Sequence, residues 1–451
     1  MNEYIQLRVR NIKVGSSSGR YILYWIQGAP RSVFNFGLEF AIYLSNEYRL
    51  PLIVLIIVNP FYPEANDRSM KFFLEGVKEL KNALEERGLT FHVRPGKFQD
   101  VITQYYKDAK VLITDASYLP FLRILKEEVY KRLDATIFEV DNNLLVPVRV
   151  VSSKQEVGAY TLRPKILKIY RNFLDFQEVT YKGEKLEPVL EVDLDNFDSF
   201  LKMHYQEKFP ETPFRGGEKQ GRMILKHFLE SNFHQFAMLR SNPAFDVESH
   251  LSPYLHYGFI SPLEIIKEAS KVDTDSKNFD VLFEQLVVRR ELAHNFTYYS
   301  EDLDDLARIL PRWAYESLKN HENDRREYLY SKEELEDAKT HDVLWNAAQK
   351  ELVFTGKIHN YMRMYWGKKV IEWTSNIDEA YRILVYLNNK YAMDGRDPNS
   401  YAGIGWCFGL HDRPFKERPV LGTVRYMSER GLRSKFEVEK YLARVAKLVG
   451  G

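Results

Sequence analysis

Five short runs of β-branched and aromatic residues, separated by segments of helical period, occupy residues 21–140 and leave few folds open. They are Tyr21–Trp25, Leu52–Val58, Thr90–Val93, Val111–Thr114 and Thr136–Val140. Strands this apolar have to be covered on both faces, and the helical periods between them supply the cover. Those periods run to about Tyr48, from about Ser69 to Arg87 and from about Phe98 to Tyr106. The expectation is a doubly wound, Rossmann-like α/β domain with a parallel sheet over residues 18–153. Ligands of such sheets sit beyond the carboxyl ends of the strands, here near Gly28-Ala29-Pro30-Arg31 and Asn59-Pro60. No G-x-G-x-x-G follows the first strand and no Walker lysine motif occurs; Gly216-Gly217-Glu218-Lys219 reads as a helix start rather than a phosphate loop.

Residues 154–198 lose the periodicity and become charged and proline-containing, the pattern of a linker wrapped over a domain junction. From Gly217 the sequence is almost wholly helical, with amphipathic segments Leu282–Tyr298, His341–Thr355, Tyr361–Thr374 and Asp378–Tyr391. An all-α domain is expected over residues 199–446. A chain of 451 residues is long enough for about three domains, and two large ones fit equally well.

Charge and cysteine content narrow the function. With 64 Lys plus Arg against 63 Asp plus Glu, a nucleic-acid surface has to come from local clustering rather than bulk charge. The single Cys407 excludes a disulfide framework and a Cys-based zinc site and suits a reducing cytoplasm. No apolar run approaches the length of a membrane span, and the N-terminus has charged residues but no apolar signal core. His250 and His256 have no carboxylate in a ligand spacing, so no metal is expected.

Four of the six tryptophans, Trp345, Trp366, Trp373 and Trp406, fall in the last quarter of the chain. Trp366 and Trp373 are two helical turns apart, on one face and about 10 Å apart along the axis; Trp345, on the preceding segment, packs between or beside them. This is either core packing or an electron-hopping row near a cofactor. Arg363 shares the face of Trp366. Asn388 precedes a Gly- and Pro-punctuated loop that carries Asp394, Gly395, Asp397 and Asn399. That loop is either a ligand contact or a capped turn, because Asp-Pro-Asn starts a helix without any ligand.

Glu248-Ser249-His250-Leu251-Ser252-Pro253 places hydroxyls before a helix starting near Pro253. Such an end offers free N–H groups to a phosphate or diphosphate, and simple capping by Ser252 explains it equally well. After Asp412 come Arg413, Lys416, Arg418, Arg425, Arg430, Arg433 and Lys435, either a solvated face or, beside Trp406, a surface for a phosphate backbone and extruded bases.

Four segments together resemble the class II cyclobutane pyrimidine dimer photolyases of the photolyase and cryptochrome superfamily. They are Ser249–Gly258, Val287–Phe296, Thr355–Trp366 (Thr-Gly-Lys-Ile-His-Asn-Tyr-Met-Arg-Met-Tyr-Trp) and Asp394–Trp406. The resemblance implies an antenna-binding α/β domain and a helical domain holding FAD. Carried over position by position, Ser249, Leu251 and Ser252 hold the diphosphate, and Arg290 and Asn295 approach from another helix. Arg363 and Asp394 pair beside the ring, with Gly395, Asp397 and Asn399 completing the loop. Asn388 faces the flavin, Trp366 is the proximal electron donor, Trp345 follows, Trp373 lies toward the surface, and Tyr365 joins them. Arg240 grips the lesion backbone, and Gln285, Tyr361, Met364, Trp406 and Arg413 complete the contact with damaged DNA.

The implied activity is light-driven repair by a cytoplasmic monomer: reduced, anionic FAD passes an electron to a flipped-out dimer, the ring splits and the electron returns. An antenna chromophore such as 8-hydroxy-5-deazaflavin is the implied second ligand. Three positions depart from the pattern. Gln285 stands for a glutamate and Phe236 for a tyrosine, while Gly28-Ala29-Pro30-Arg31 replaces the usual antenna loop. A cryptochrome-like photoreceptor is the alternative from a non-enzyme class, and a nicotinamide-dependent flavoprotein lacks its fingerprint.

Overall fold

The computed structural model describes residues 3–16, 18–272 and 277–450. Seven strands form one sheet: β1 (Val9–Lys13), β2 (Tyr21–Ile26), β3 (Leu52–Val58), β4 (Thr90–Pro95), β5 (Ala109–Asp115), β6 (Thr136–Val140) and β7 (Val189–Leu190), in the order β1-β6-β5-β2-β3-β4-β7. All neighbours are parallel except β1, which runs antiparallel to β6. The chain leaves β2 toward β3 and β4, then returns to β5 and β6 on the other side. The switch point therefore lies between β2 and β5, where open α/β sheets bind ligands.

Alternation along the strands sets the two faces. Leu23, Trp25, Ile53, Leu55 and Leu112 pack with Phe98, Ile102, Val129 and Tyr130. Ile22, Tyr24, Val54 and Ile56 point the other way, into a core that contains Phe36, Leu38, Phe72 and Leu80 and continues without a break to Phe259, Leu263 and Leu286 of the helical half. Arg31, wholly buried, fastens the same junction: its guanidinium donates to Asn143 Oδ1 at 3.0 Å, to Gly258 O at 2.9 Å and to Asn142 O at 2.6 Å.

Two stretches differ from the sequence expectation. β1 precedes residue 18, and it escapes a hydrophobic reading because Val9-Arg10-Asn11-Ile12-Lys13 is a polar edge strand. The stretch 154–198 is more structured than a linker. Its helix Ala159–Ile169 buries Leu162 and Ile166, one turn apart, and tolerates Pro164 by forfeiting a backbone bond beside exposed Tyr160. β7 then adds two residues to the edge of β4.

After β7 the described residues are helices and loops apart from one bridge between Arg418 and Gly422. The second core gathers Trp345, Trp366, Trp373, Tyr365, Tyr381 and Phe408. No helix among the described residues is long and apolar enough to cross a membrane.

Candidate functional site

Within the helical half, Ser249, Leu251, Ser252, Arg290, Arg363, Asp394, Asp397 and Asn399 converge on one cavity of about 420 Å³, with Arg240, Gln285 and Trp406 in the same wall. They reach it from four places. The turn at Ser249–Ser252 enters with His250 at a φ of +54°. Gln285 sits in a π-helical turn, Glu284–Arg289, that runs into the helix Arg290–Tyr299. Arg363 lies on the helix Asn360–Trp373, and the Asp394 loop joins the helix Ile377–Tyr391 to the helix Pro398–Cys407.

Each wall is fixed by ordinary chemistry. Arg363 donates to both oxygens of Asp394, at 3.0 and 3.3 Å. Asp397 caps the helix Pro398–Cys407 through Oδ1, which accepts from Asn399 N and Nδ2, both at 2.8 Å; its Oδ2 lies 3.1 Å from His256 Nδ1. Burial alone would raise the Asp397 carboxyl, but the His256 hydrogen bond and the charges of His256, His294 and Arg290 hold it well below the usual range. The capped-turn reading is thus true of Asp397, and the ligand-facing reading rests on Asp394. A Cβ on Gly395 would lie 2.8 Å from Asn388 O, so only glycine lets the loop close over that helix end.

The turn at Ser252 departs from simple capping. Its helix, Ser252–His256, is five residues long and its cap position is Leu251, with no side-chain bond. Ser252 Oγ is instead buried without a partner, and so is Asn388 Nδ2. Such orphaned polar atoms in a folded protein ask for a ligand. Glu248 anchors the same turn: it accepts from Lys357 Nζ at 2.7 Å and from Asn360 N at 3.3 Å. Burial works to raise this carboxyl, yet Lys357, His359 and His250 keep it well below the usual range.

The tryptophans form a row. Trp345 stacks on Trp366 at 6.4 Å and 9°, and meets Trp373 edge-on at 5.7 Å and 66°. Trp345 therefore lies between the other two. Trp373 is buried rather than superficial, and contact with the surface passes through Tyr330 and His341, 5.5 and 5.2 Å away. Trp366 Nε1 donates to Gln349 Oε1 at 2.9 Å, a partner the sequence reading did not single out. The phenol of Tyr365 donates to Asp342, which also caps the helix of Trp345, so Tyr365 clasps two helices.

Asn295, Tyr361, Met364 and Arg413 do not line that cavity. Asn295 is occupied with the interdomain segment, accepting from Glu156 N at 2.7 Å and donating to Lys154 O at 3.0 Å, because its helix is buried nearly all round and periodicity cannot choose its face. Tyr361 packs on Phe436 at 4.8 Å with Lys435 above its ring, and exposed Arg413 lies over Phe415. Met364 is half-buried, and its carbonyl oxygen lies 3.9 Å from Cys407 Sγ. Arg240 is half-buried against Phe236, its pKa lowered by burial, so an incoming anion would restore what desolvation removes. His250 and His256 point to different carboxylates, Asp246 and Asp397. No His, Cys, Asp and Glu cluster suited to a metal occurs among the described residues.

A second cavity, of about 260 Å³, opens at the switch point of the sheet, between Trp25, Ile56, Phe98 and Tyr62 on one side and Tyr257, Arg396 and Pro398 on the other. Gly28, Asn59 and Asn143 line it, whereas Arg31 is turned into the domain junction. Leu255, His256, Arg290 and Asp397 belong to both cavities.

This architecture is shared with known proteins. The DNA photolyase family model matches residues 22–183. The deoxyribodipyrimidine photo-lyase of Methanothermobacter thermautotrophicus is 40% identical over 98% of both chains, and that of Arabidopsis thaliana is 37% identical over 98% of this chain and 93% of its own. The crystal structure of an archaeal photolyase from Sulfolobus tokodaii, described with two FAD molecules, superposes with a TM-score of 0.67 at 18% identity, covering 94% of this chain and 89% of that one. The motifs, the α/β sheet followed by a helical half and the full-length relatives agree: the chain belongs to the DNA photolyase family.

Proposed function

We propose that this protein is a light-driven deoxyribodipyrimidine photo-lyase of class II type, acting as a cytoplasmic monomer on cyclobutane pyrimidine dimers in DNA, with FAD in the larger cavity. The observation that carries the reading is the meeting, in one cavity, of an orphaned hydroxyl and an Arg-Asp pair with a cationic and aromatic mouth. The relatives that bear the photo-lyase name support it over nearly the whole chain.

Ser249, Leu251 and Ser252 would hold the diphosphate, with the Ser252 hydroxyl gaining its missing partner. Arg363 and Asp394 would flank the ring, and Asn388 would offer the unpaired hydrogens of its amide. Bound and fully reduced as the anion, FAD supplies the light-absorbing one-electron donor that splitting of the cyclobutane ring requires. The protein orients and shields: Arg240 would take a lesion phosphate, Gln285 would donate an amide hydrogen to a base carbonyl, and Trp406 would offer a stacking face. The Trp366-Trp345-Trp373 row would carry electrons inward to keep the cofactor reduced. The smaller cavity would house an antenna such as 8-hydroxy-5-deazaflavin.

The decisive experiment irradiates purified, FAD-loaded and reduced protein with blue light in the presence of dimer-containing DNA. Recovery of thymine monomers is expected; bound FAD without recovery would sink the reading and leave a photoreceptor. Trp366→Phe should stop photoreduction of the oxidised cofactor and spare repair by chemically reduced protein.

A further inference from the structure

Trp406 has surroundings unlike those of the buried row. Lys368 Nζ lies 5.2 Å and Arg425 Cζ 5.5 Å from the centre of its ring. In the row, Trp366 donates its indole N–H to the neutral Gln349 amide, and Trp345 donates to the carbonyl of Trp366, both at 2.9 Å. Among the described residues no Lys or Arg sits over Trp345 or Trp366. Lys369, 5.8 Å from Trp373, is compensated by Glu372 at 2.7 Å.

Lys368 is the less expected of the two cations near Trp406. It is wholly buried, its Nζ donates to Cys407 O at 2.5 Å, and among the described residues no carboxylate lies within ion-pair distance of it. Arg425, by contrast, is paired with Asp412 at 2.8 and 3.1 Å. A buried ammonium without a counter-ion costs stability, and burial here pushes its pKa down to about 8. The fold gains little from keeping it, whereas its position over an indole has a clear electrostatic consequence. A cation near a π face stabilises the neutral ring and repels the same ring once an electron has been removed.

We propose that Lys368, whose charge no carboxylate offsets as Asp412 offsets that of Arg425, makes Trp406 hard to oxidise, so that one-electron oxidation is confined to the Trp366-Trp345-Trp373 row and kept away from the indole that meets DNA. The inference rests on the photo-lyase reading, in which Trp406 and the row border one photo-oxidant. Oxidation of Trp406 would take one electron from its indole to that photo-oxidant; Lys368 exchanges neither electron nor proton and acts through its charge. It is a positioning and electrostatic residue, not a catalytic one.

The test needs neither light nor repair. The full-length protein, with any flavin fully oxidised and kept in the dark, is exposed at pH 7 to azidyl radicals, which take one electron from an indole and become azide. Oxidised tryptophans are then located by peptide mass spectrometry, with half-exposed Trp313 as internal reference. Lys368→Met, close in shape to the native side chain, should raise the oxidation of Trp406 relative to Trp313 at least fivefold, and Arg425→Gln should raise it less. Hydroxyl-radical footprinting, which follows accessibility rather than redox potential, should stay within twofold at Trp406. An unchanged azidyl ratio in Lys368→Met overturns the proposal, and so does a parallel rise in both measurements. Failure of dimer repair would strike the photo-lyase reading instead, since the azidyl ratio does not depend on it.

Discussion

The two cavities are built by different means, and the contrast explains which residues can be exchanged. The larger one is assembled at helix ends and turns, where capping side chains, an Arg-Asp pair and orphaned polar atoms set its chemistry. The smaller one opens where parallel strands part at the switch point, and its floor is ring and aliphatic surface from Trp25, Ile56, Phe98 and Tyr62. Both carry polar groups, but those of the larger one come from helix ends and turns, whereas Gln27, Asn59, Ser117 and Asn143 of the smaller one stand at the ends and loops of the strands. Leu255, His256, Arg290 and Asp397 stand between them, so damage to that wall reaches both, while changes elsewhere reach one.

The largest effect is expected at the wall. Asp397→Ala removes a helix cap and orphans His256, for a combined cost of about 4 kcal/mol at pH 7. Urea unfolding would measure it, and retention of ligands in both cavities should fall together. The sign with pH is fixed by the depressed carboxyl: its contribution is present above the ordinary carboxylate range and disappears as acid protonates it, so native and Asp397→Ala proteins should converge in acid. Equal loss at all pH values would show that Asp397 matters only as a cap.

His294 tests the same wall from the sheet side. It is buried beside Tyr118, and burial and the Arg290 charge push its pKa down to about 3. Below the ordinary histidine range the unfolded chain takes a proton that the folded chain refuses, so stability falls as pH drops from about 6.5 toward 3. Between pH 6.5 and 4 this group accounts for about 3 kcal/mol. His294→Gln should flatten that part of the curve in denaturation measured across pH; an unaltered slope would place the acid sensitivity elsewhere.

How much of this could be read from sequence follows the same contrast. The five inner strands announced themselves, because runs such as Leu52–Val58 are apolar throughout. β1 did not, since an edge strand with one exposed side can be written in polar residues. At the larger cavity, helical spacing put Arg363 and Trp366 on one face and Trp373 two turns on, and the structure places Trp345 between the two indoles. Spacing could not supply Asp394 as the partner of Arg363, which came from resemblance, nor the His256-Asp397 contact, which joins residues 141 positions apart. Spacing could not orient Asn295 either: a helix buried on all sides carries no stripe to show which polar residue faces a cavity. The wall between the cavities is purely tertiary and left no local signature.

A smaller and more selective effect is expected within the larger cavity. Arg363→Leu leaves Asp394 half-buried without its guanidinium, at a cost of about 2 kcal/mol, which is about 30-fold in flavin retention. Equilibrium dialysis of FAD would measure it. Binding in the smaller cavity should be unchanged, because Arg363 touches only the larger one; a matching loss there would mean that the two sites communicate beyond the shared wall.

The smallest effect should come from the smaller cavity itself. Ala116 lines it at the end of β5, with its N–H held by Val140 O at 2.8 Å, so the backbone there is already fixed. Ala116→Leu adds methyl groups to open space rather than to packed core, and its cost to stability should stay below about 1 kcal/mol. FAD retention should stay within twofold, since no hydrogen bond of the larger cavity passes through Ala116. A planar chromophore such as 8-hydroxy-5-deazaflavin should be excluded, read as loss of its violet-blue absorption from the purified complex. Retention of that absorption would move the antenna out of the switch-point cavity. Loss of both ligands would break the contrast, because filling open space at the strand ends, away from the shared wall, should not disturb a cavity assembled at helix ends and turns.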